Sequence, residues 1–406
     1  MTTPAPTAST WVFTGDYIDM DGHTTKQERL NWLKDELVIA YDAAKKGKYS
    51  NSEVKEFEKN AKTDLDKLAI EIYSRTYQPR PSTAFIINKP IKREIFAAAF
   101  RDRIVHHLLF NQVESWWDAR FIADNYSCRK GKGTLYGVKR LSKHMRAASD
   151  NYSKETYVLK LDLQGYFMSL NRKKIYDRAI WGLDRQFPEK GFEYQTCKYL
   201  WKVIIFNDPI KGAIVKCPRS AWKGLLASKS LFRQPKGQGI AIGNLTSQLI
   251  SNIYLDQLDR FVTFDLGYKH YGRYVDDFYL VSNSKDNLVK DTKKIEKYLE
   301  SELGLVLHPN KRYLQNIDKG VAFLGAVIYP YRIQPGKRLK TNMKKALEDL
   351  NCSEATEASY RGLVKHYKNF RLLVYKIDVV CREVCEIDGK LLTAVYNNKG
   401  IRWKSG

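Results

Sequence analysis

The chain has 406 residues, with 69 Lys and Arg against 45 Asp and Glu, giving a formal net charge of +24. That length supports two or three structural units with a substantial core. The charge argues against the near-neutral surface of an ordinary metabolic enzyme and for a polyanionic partner, because each phosphate neutralised releases a condensed counterion. A membrane surface is polyanionic too, but no apolar run of spanning length, no signal peptide at Met1-Thr2-Thr3-Pro4 and no basic amphipathic anchor is read, so no membrane partner is expected. Aromatic residues make up 13% of the chain and are rich in Tyr, which suits base and ribose stacking as well as a core.

In chain order, residues 1–10 are small, polar and proline-bearing and are expected to form a disordered tip. Helices are expected over 24–48 and 52–77; in the second, Val54, Phe57, Ala61, Leu65, Leu68 and Ile72 keep one apolar face. Tyr77-Gln-Pro-Arg-Pro81 breaks that period, Ala84-Phe-Ile-Ile87 starts a strand, and 104–113 is helical again. Arg129-Lys-Gly-Lys-Gly133 reads as a mobile basic loop leading into a helix over 134–146. Residues 183–236 form an insertion rich in Lys, Trp and Phe. After Tyr331 the chain turns basic at Pro335-Gly-Lys-Arg-Leu-Lys340, and several basic helices are expected to run to Gly406. Cys128, Cys197, Cys217, Cys352, Cys381 and Cys385 lack metal-finger spacing and read as reduced, mostly buried thiols of a cytoplasmic protein.

Three stretches carry chemistry. Tyr157-Val-Leu-Lys-Leu-Asp162 is an alternating, β-prone run that ends in a carboxylate and is followed by Tyr166 and Phe167. Tyr274-Val275-Asp276-Asp277 sets two carboxylates between hydrophobic flanks, at the point where two short strands would turn. Taken alone, paired acids often merely decorate a solvated turn. Placing the first strand beside the hairpin brings Asp162 against Asp276, and three acids sharing one site repel unless divalent cations lie between them. Mg²⁺ suits such a cage, since it demands oxygen ligands on rigid backbone and keeps part of its shell for water and phosphate. Between the two lies Gly237-Gln-Gly239-Ile-Ala-Ile242-Gly243-Asn-Leu-Thr-Ser247-Gln248, a glycine-rich loop opening an amphipathic helix with Leu245, Leu249, Ile253 and Leu258.

In this order the three stretches resemble the palm of a reverse transcriptase. Leu303 to Lys311 and Val321-Ala-Phe-Leu-Gly325 resemble the segments that follow its catalytic hairpin. Lys92-Arg93, Phe100 to His107 and Asn125 to Gly133 resemble its finger motifs, so the likeness spans 77–331. Ile242-Gly-Asn-Leu-Thr-Ser-Gln248, with its lead-in from Leu225 to Phe232, is similar to the variant of diversity-generating retroelements, where most bacterial relatives carry Ser-Pro. The resemblance implies an α+β, right-hand polymerase with an antiparallel-sheet palm, helical fingers and a small helical thumb. Its divisions are an N-terminal helical extension (1–76), fingers (77–154), a palm (155–335, its insertion 183–236 serving the fingers) and a basic helical thumb (336–406).

It further implies two Mg²⁺ ions bridged by Asp162 and Asp276 with Asp277 close by, and the main-chain carbonyl of Leu163 as a further ligand. Tyr166 is expected under the sugar, where it excludes a 2′-hydroxyl, although Phe167 can exchange roles with it. Arg93 is expected on the incoming triphosphate, with the bidentate geometry that suits phosphate. Arg129, Lys130 and Lys132 are expected on triphosphate or template backbone, Gly239 and Ile242 beneath the nascent base pair, and Lys311 at the pyrophosphate. Lys337, Arg338 and Lys340 of the thumb would hold nucleic acid. Expected partners are an RNA template or structured non-coding RNA, the cDNA product, deoxynucleotides and a small basic accessory protein. An antiphage-defence reverse transcriptase with its own RNA is the rival setting. A nucleotide cyclase and a non-catalytic RNA scaffold are the rival classes.

Overall fold

The computed structural model describes residues 25–89, 91–348, 353–367, 382–387, 390–397 and 400–405. Its elements are α1 (Lys26–Lys45), α2 (Ser52–Glu58), α3 (Ala61–Tyr73), β1 (Thr83–Ile87), β2 (Arg93–Ala97), α4 (Phe100–Asp118), α5 (Thr134–Ala148), β3 (Tyr157–Asp162), α6 (Tyr166–Ser169), α7 (Arg172–Gln186), α8 (Phe192–Phe206) and β4 (Ile214–Val215). There follow α9 (Leu245–Arg260), β5 (Tyr271–Tyr274), β6 (Asp277–Ser282), α10 (Lys285–Tyr298), β7 (Tyr313–Asn316), β8 (Val321–Phe323), β9 (Ala326–Tyr329), β10 (Arg332–Pro335), α11 (Lys337–Glu348), α12 (Glu354–Val364), β11 (Arg382–Ile387), β12 (Lys390–Asn397) and β13 (Gly400–Ser405). This is the expected α+β composition. No helix among the described residues is long and apolar enough to cross a membrane. The expected tip at residues 1–10 lies outside the described residues.

Two compact units divide the described residues, one comprising those up to Ala119 with Arg172–Ile250, the other Arg120–Asn171 with those from Ser251 onward. Residues 120–154, expected with the fingers, thus fall in the second unit, while the insertion 183–236 falls in the first. In the first unit, α1 starts with a capping box in which Thr25 and Glu28 satisfy each other's backbone amides. The expected single helix over 52–77 is two, because Asn60 leaves the helical region (φ −127°, ψ 24°) and restarts the chain as α3. Strand β1 lies between antiparallel β2 and a two-residue parallel β4. Buried Glu94 of β2 accepts bonds from Trp222 Nε1 (2.6 Å) and Ser230 Oγ (2.8 Å), which ties the insertion to the strand.

The second unit is built on a four-stranded antiparallel sheet in the order β5-β6-β3-β7. Period-2 alternation sorts its side chains: Val158, Tyr279 and Val281 face a core with Val138, Leu141 and Met145 of α5. Leu161, Phe278 and Leu280 are buried on the other face. Each such side chain fully removed from water contributes about 1.5–3 kcal/mol, enough to hold the strand ends rigidly.

The C-terminal expectation needs correction. Lys337–Glu348 and Glu354–Val364 are helices, but β11, β12 and β13 form an antiparallel meander where further basic helices were expected. Among the cysteines, Cys197 is buried, Cys217 half-buried and Cys128 exposed; all three are free thiols. Cys352 and Cys381 lie outside the described residues.

Candidate active site

The acids are delivered by two neighbouring strands. Asp162 ends β3, and the register of β3 against β6 sets it opposite Asp277. The hairpin turns through Val275 and Asp276, because Tyr274 pairs with Asp277. Asp277 is thus the cross-strand partner of Asp162, and Asp276 sits at the turn, where the charge of Asp162 still acts on it. Val275 has a φ of +56°, a conformation that a β-branched residue adopts only under constraint. Beyond Asp162 the chain continues alongside the segment before Lys311. Gln164 N–H donates to the Val306 carbonyl (2.9 Å) and His308 N–H to that of Asp162 (2.8 Å), so the Leu163 carbonyl is not used in this bridge.

Charge is only partly balanced here. Lys311 Nζ donates to Asp162 Oδ2 at 2.8 Å, while Oδ1 of the same carboxylate is buried with no hydrogen-bond partner. Lys160 Nζ stands 4.0 Å from Asp277 and donates to the Ala322 carbonyl at 2.7 Å. Burial pushes Asp276 up to about 6, helped by the charges of Asp162 and Asp277. Burial likewise raises Asp277 to about 6, with Asp162 adding to it and Lys160 and Lys311 opposing. Among the described residues no three His, Cys, Asp or Glu side chains already converge as a metal cluster. The donor set nevertheless fits a hard divalent cation: three carboxylates, mutually repelling, one with a buried oxygen left unpaired.

The other expected residues separate into those at this site and those with internal work. Lys311 is at the site. Lys160 is there too, and sequence reading missed it, although its place two residues before Asp162 puts it on the same strand face. Tyr166 is buried and its hydroxyl donates to the Ser251 carbonyl (2.9 Å), whereas neighbouring Phe167 is half-buried. Arg129 donates to the carbonyls of Ile122 (2.7 Å) and Asn125 (3.3 Å), and Lys132 to that of Ala123 (2.7 Å), so both brace their own loop. Lys130, Lys337, Arg338 and Lys340 are exposed. Arg93, Gly239 and Ile242 belong to the first unit. There Arg93 is exposed, Gly239 has a φ of +78° and accepts from Arg172 Nε (2.8 Å), and the Ile242 carbonyl accepts from Phe96 N–H (3.2 Å). His106 packs internally, its Nδ1 2.7 Å from Thr246 Oγ1, and burial lowers it to about 4.

The reverse transcriptase (RNA-dependent DNA polymerase) family matches residues 89–328, more than half of the chain and the whole of this site. The chain belongs to the reverse transcriptase family. It is accordingly an RNA-directed DNA polymerase. Protein YkfC of Escherichia coli K12 is similar at 23% identity over 296 residues, covering 64% of this chain and 70% of that one. Among solved structures, apo telomerase of Candida tropicalis truncated from its C-terminal domain is 13% identical over 70% of this chain and 60% of that one, with a TM-score of 0.44. Telomerase of Candida albicans in complex with a fragment of telomeric RNA is 12% identical, covering 76% and 56%, with a TM-score of 0.45. This chain therefore spans less than two thirds of either telomerase.

Proposed function

We propose that this reverse transcriptase copies a dedicated RNA template into cDNA by two-metal nucleotidyl transfer at Asp162, Asp276 and Asp277, and that it is of the error-prone, diversity-generating type. The carrying observation is the cross-strand register that sets Asp162 against Asp277 with Asp276 at the adjoining turn. Half-buried carboxylates with raised pKa values and one orphaned oxygen are costly in a protein unless something external uses them. The three side chains, with the Leu163 carbonyl, would hold two Mg²⁺ ions. When bound, these would supply activation of the primer 3′-hydroxyl and neutralisation of the pyrophosphate leaving group.

The chain's own residues do the rest. Strands β3 and β6 carry Asp162 and Asp277, the adjoining turn carries Asp276, and Lys311 brings an ammonium to Asp162 Oδ2, where phosphate charge would develop. Tyr166, or its less buried neighbour Phe167, would meet the sugar and exclude a 2′-hydroxyl. Arg93 retains its assignment to the triphosphate, and Gly239 and Ile242 theirs beneath the base pair. Lys130 and the exposed cations Lys337, Arg338 and Lys340 would track nucleic-acid phosphates, while the bracing bonds of Arg129 and Lys132 suit them to shaping the loop.

Replacing Asp276 and Asp277 with Ala tests the chemistry: primer extension should disappear with RNA binding retained, and persisting cDNA synthesis would overturn the assignment. The retroelement type rests on the Ile242 to Gln248 motif. Sequencing the nucleic acid that co-purifies with the protein tests it. A repeat RNA paired with a variable repeat, together with a small basic accessory protein, supports diversification; a self-contained non-coding RNA with no such repeat overturns it in favour of defence.

A further inference from the structure

A fully buried ion pair lies on the opposite face of the hairpin strands from Asp277. Arg273 of β5 and Asp259 of α9 are both 0% exposed and meet bidentately, Nε to Oδ1 at 2.7 Å and Nη2 to Oδ2 at 2.6 Å. The Tyr271 hydroxyl donates to the same Oδ1 at 2.7 Å. The remaining terminal nitrogen, Nη1, donates to the carbonyl of Val275 at 3.0 Å. One planar guanidinium thus joins a helix carboxylate to the residue at the strained turn. The Arg273 backbone is fastened as well, donating to the Asp124 carbonyl and accepting from Tyr126 N–H, each at 2.9 Å.

Stability alone is a weak account of this arrangement. A buried ion pair seldom outperforms well-packed apolar residues of the same volume, because desolvating two charges offsets most of their attraction. Nor is the turn a resting conformation: a β-branched residue at φ +56° persists only where its surroundings over-determine it. Lysine cannot reproduce the contact, since its single ammonium lacks the fork that serves a carboxylate and a carbonyl at once.

We infer that Arg273, anchored by Asp259, is a positioning residue for the polymerase reaction: it holds the Val275 carbonyl, keeps the turn in its strained form, and so fixes where Asp276 and Asp277 stand relative to Asp162. The inference rests on the assignment of those three acids as the metal-binding set. Arg273 touches neither substrate nor metal in this scheme. Its effect runs through the backbone of two residues.

The test uses the full-length protein with R273K, D259N and the double variant R273K/V275G, and D276A as reference. Each is measured for primer-extension kcat and dNTP KM, for Mn²⁺ binding by electron paramagnetic resonance without nucleic acid, and for melting temperature. Displacing reacting groups by about 1 Å costs on the order of 100-fold, so R273K and D259N should lose about that in kcat while dNTP KM stays within about threefold. Mn²⁺ affinity should fall in parallel, at temperatures where both variants remain folded. Glycine adopts positive φ without a Cβ penalty, so R273K/V275G should recover at least about tenfold over R273K. Wild-type kcat and Mn²⁺ affinity in either folded single variant overturn the inference, as does an impaired R273K that the added V275G change fails to improve. Should R273K prove unfolded, D259N alone decides by the same two readouts. Synthesis retained in D276A overturns the acid assignment itself, whereas an inactive D276A beside a fully active R273K overturns the positioning role only.

Discussion

Asp124 and Asp277 are partly buried carboxylates of the same unit, with side chains 14% and 29% exposed, and burial pushes both upward in pKa. They finish on opposite sides of the ordinary value. Asp124 takes two bonds from Arg140 (2.6 and 2.7 Å) and one from the Tyr126 hydroxyl (2.9 Å), with His144 Nε2 at 3.5 Å. Against the upward push of burial, the His144 and Arg140 bonds prevail and hold it well below the carboxylate range. Asp277 has a lysine 4.0 Å away and two acids beside it, and rises to about 6. One carboxylate is consumed by the fold; the other is one of those proposed to hold an external cation. That difference, more than acidity or burial, separates the structural Asp124 from the proposed catalytic Asp277.

The sharpest way to break the contrast is to neutralise one carboxylate of each region, Asp162 across the strands from Asp277 and then Asp124. Asp162→Asn should lower the rate of primer extension at least about 1000-fold, since each tenfold is about 1.4 kcal/mol of transition-state stabilisation and bound metal supplies several. Its melting temperature should hold, because repulsion is relieved as the Lys311 contact is lost. Asp124→Asn should do the reverse. Breaking its hydrogen-bonded charge pair should cost about 2 kcal/mol, toward the low end because Arg140 is partly exposed. The rate per folded molecule at low temperature should stay within about tenfold. Steady-state kinetics beside thermal melting checks both, and matching profiles for the two variants would dissolve the distinction.

How far these features were legible follows from the range of the interactions behind them. The apolar alternation of Tyr157 to Asp162 and the flanks of Val275-Asp276 are local, so both strands were readable. Register is not local in the same way. Whether Asp276 or Asp277 opposes Asp162 depends on the turn, and a one-residue turn difference shifts the pairing. Lys160 carried a signal in its period-2 relation to Asp162. Arg273 inside a hydrophobic strand was an oddity, but its partner lies 14 residues away on a helix, a pairing that no pattern in the sequence declares. At the C-terminus the basic composition obscured the β-branched and aromatic run Thr393, Val395 and Tyr396 and the Gly400 that follows it, all now in strands.

Gly272 tightens the same comparison from the backbone side. It pairs with Tyr279 across the hairpin, and a Cβ there would collide with the hydroxyls of Tyr126 and Tyr279, which are hydrogen-bonded to one another at 2.7 Å within the Asp124 cluster. Gly272→Ala should therefore destabilise by about 1–3 kcal/mol, the usual cost of overpacking. Combining it with Tyr279→Phe, which removes one of the colliding oxygens, should restore part of the melting temperature. Additive losses in the double variant would mean that the hydroxyl pair is not what the glycine accommodates.

The smallest expected effect is in pH. Asp276 and Asp277 rise from an ordinary 3.8 to about 6 in the metal-free fold, so between those values the folded protein holds more protons than the unfolded chain. Stability from this pair is then lost as pH rises through about 6 and regained as it falls toward 4. Asp124 contributes nothing to this window, since its folded value lies below the ordinary one and its stabilising share is lost only in stronger acid. His106 acts in the opposite sense. Its folded value is lowered from 6.5 to about 4, so its share is present above 6.5 and drains away as pH drops through the same interval. The two slopes oppose, and the wild-type melting curve alone would hide both. Asp276→Asn with Asp277→Asn should isolate the pair. Without metal, the double variant should melt a few degrees above wild type at pH 7, and the gap should close by about pH 4.5, each pKa unit being worth about 1.4 kcal/mol at full burial and less here. A gap independent of pH would mean that the two carboxylates are as well satisfied as Asp124, and the contrast between the two regions would fail.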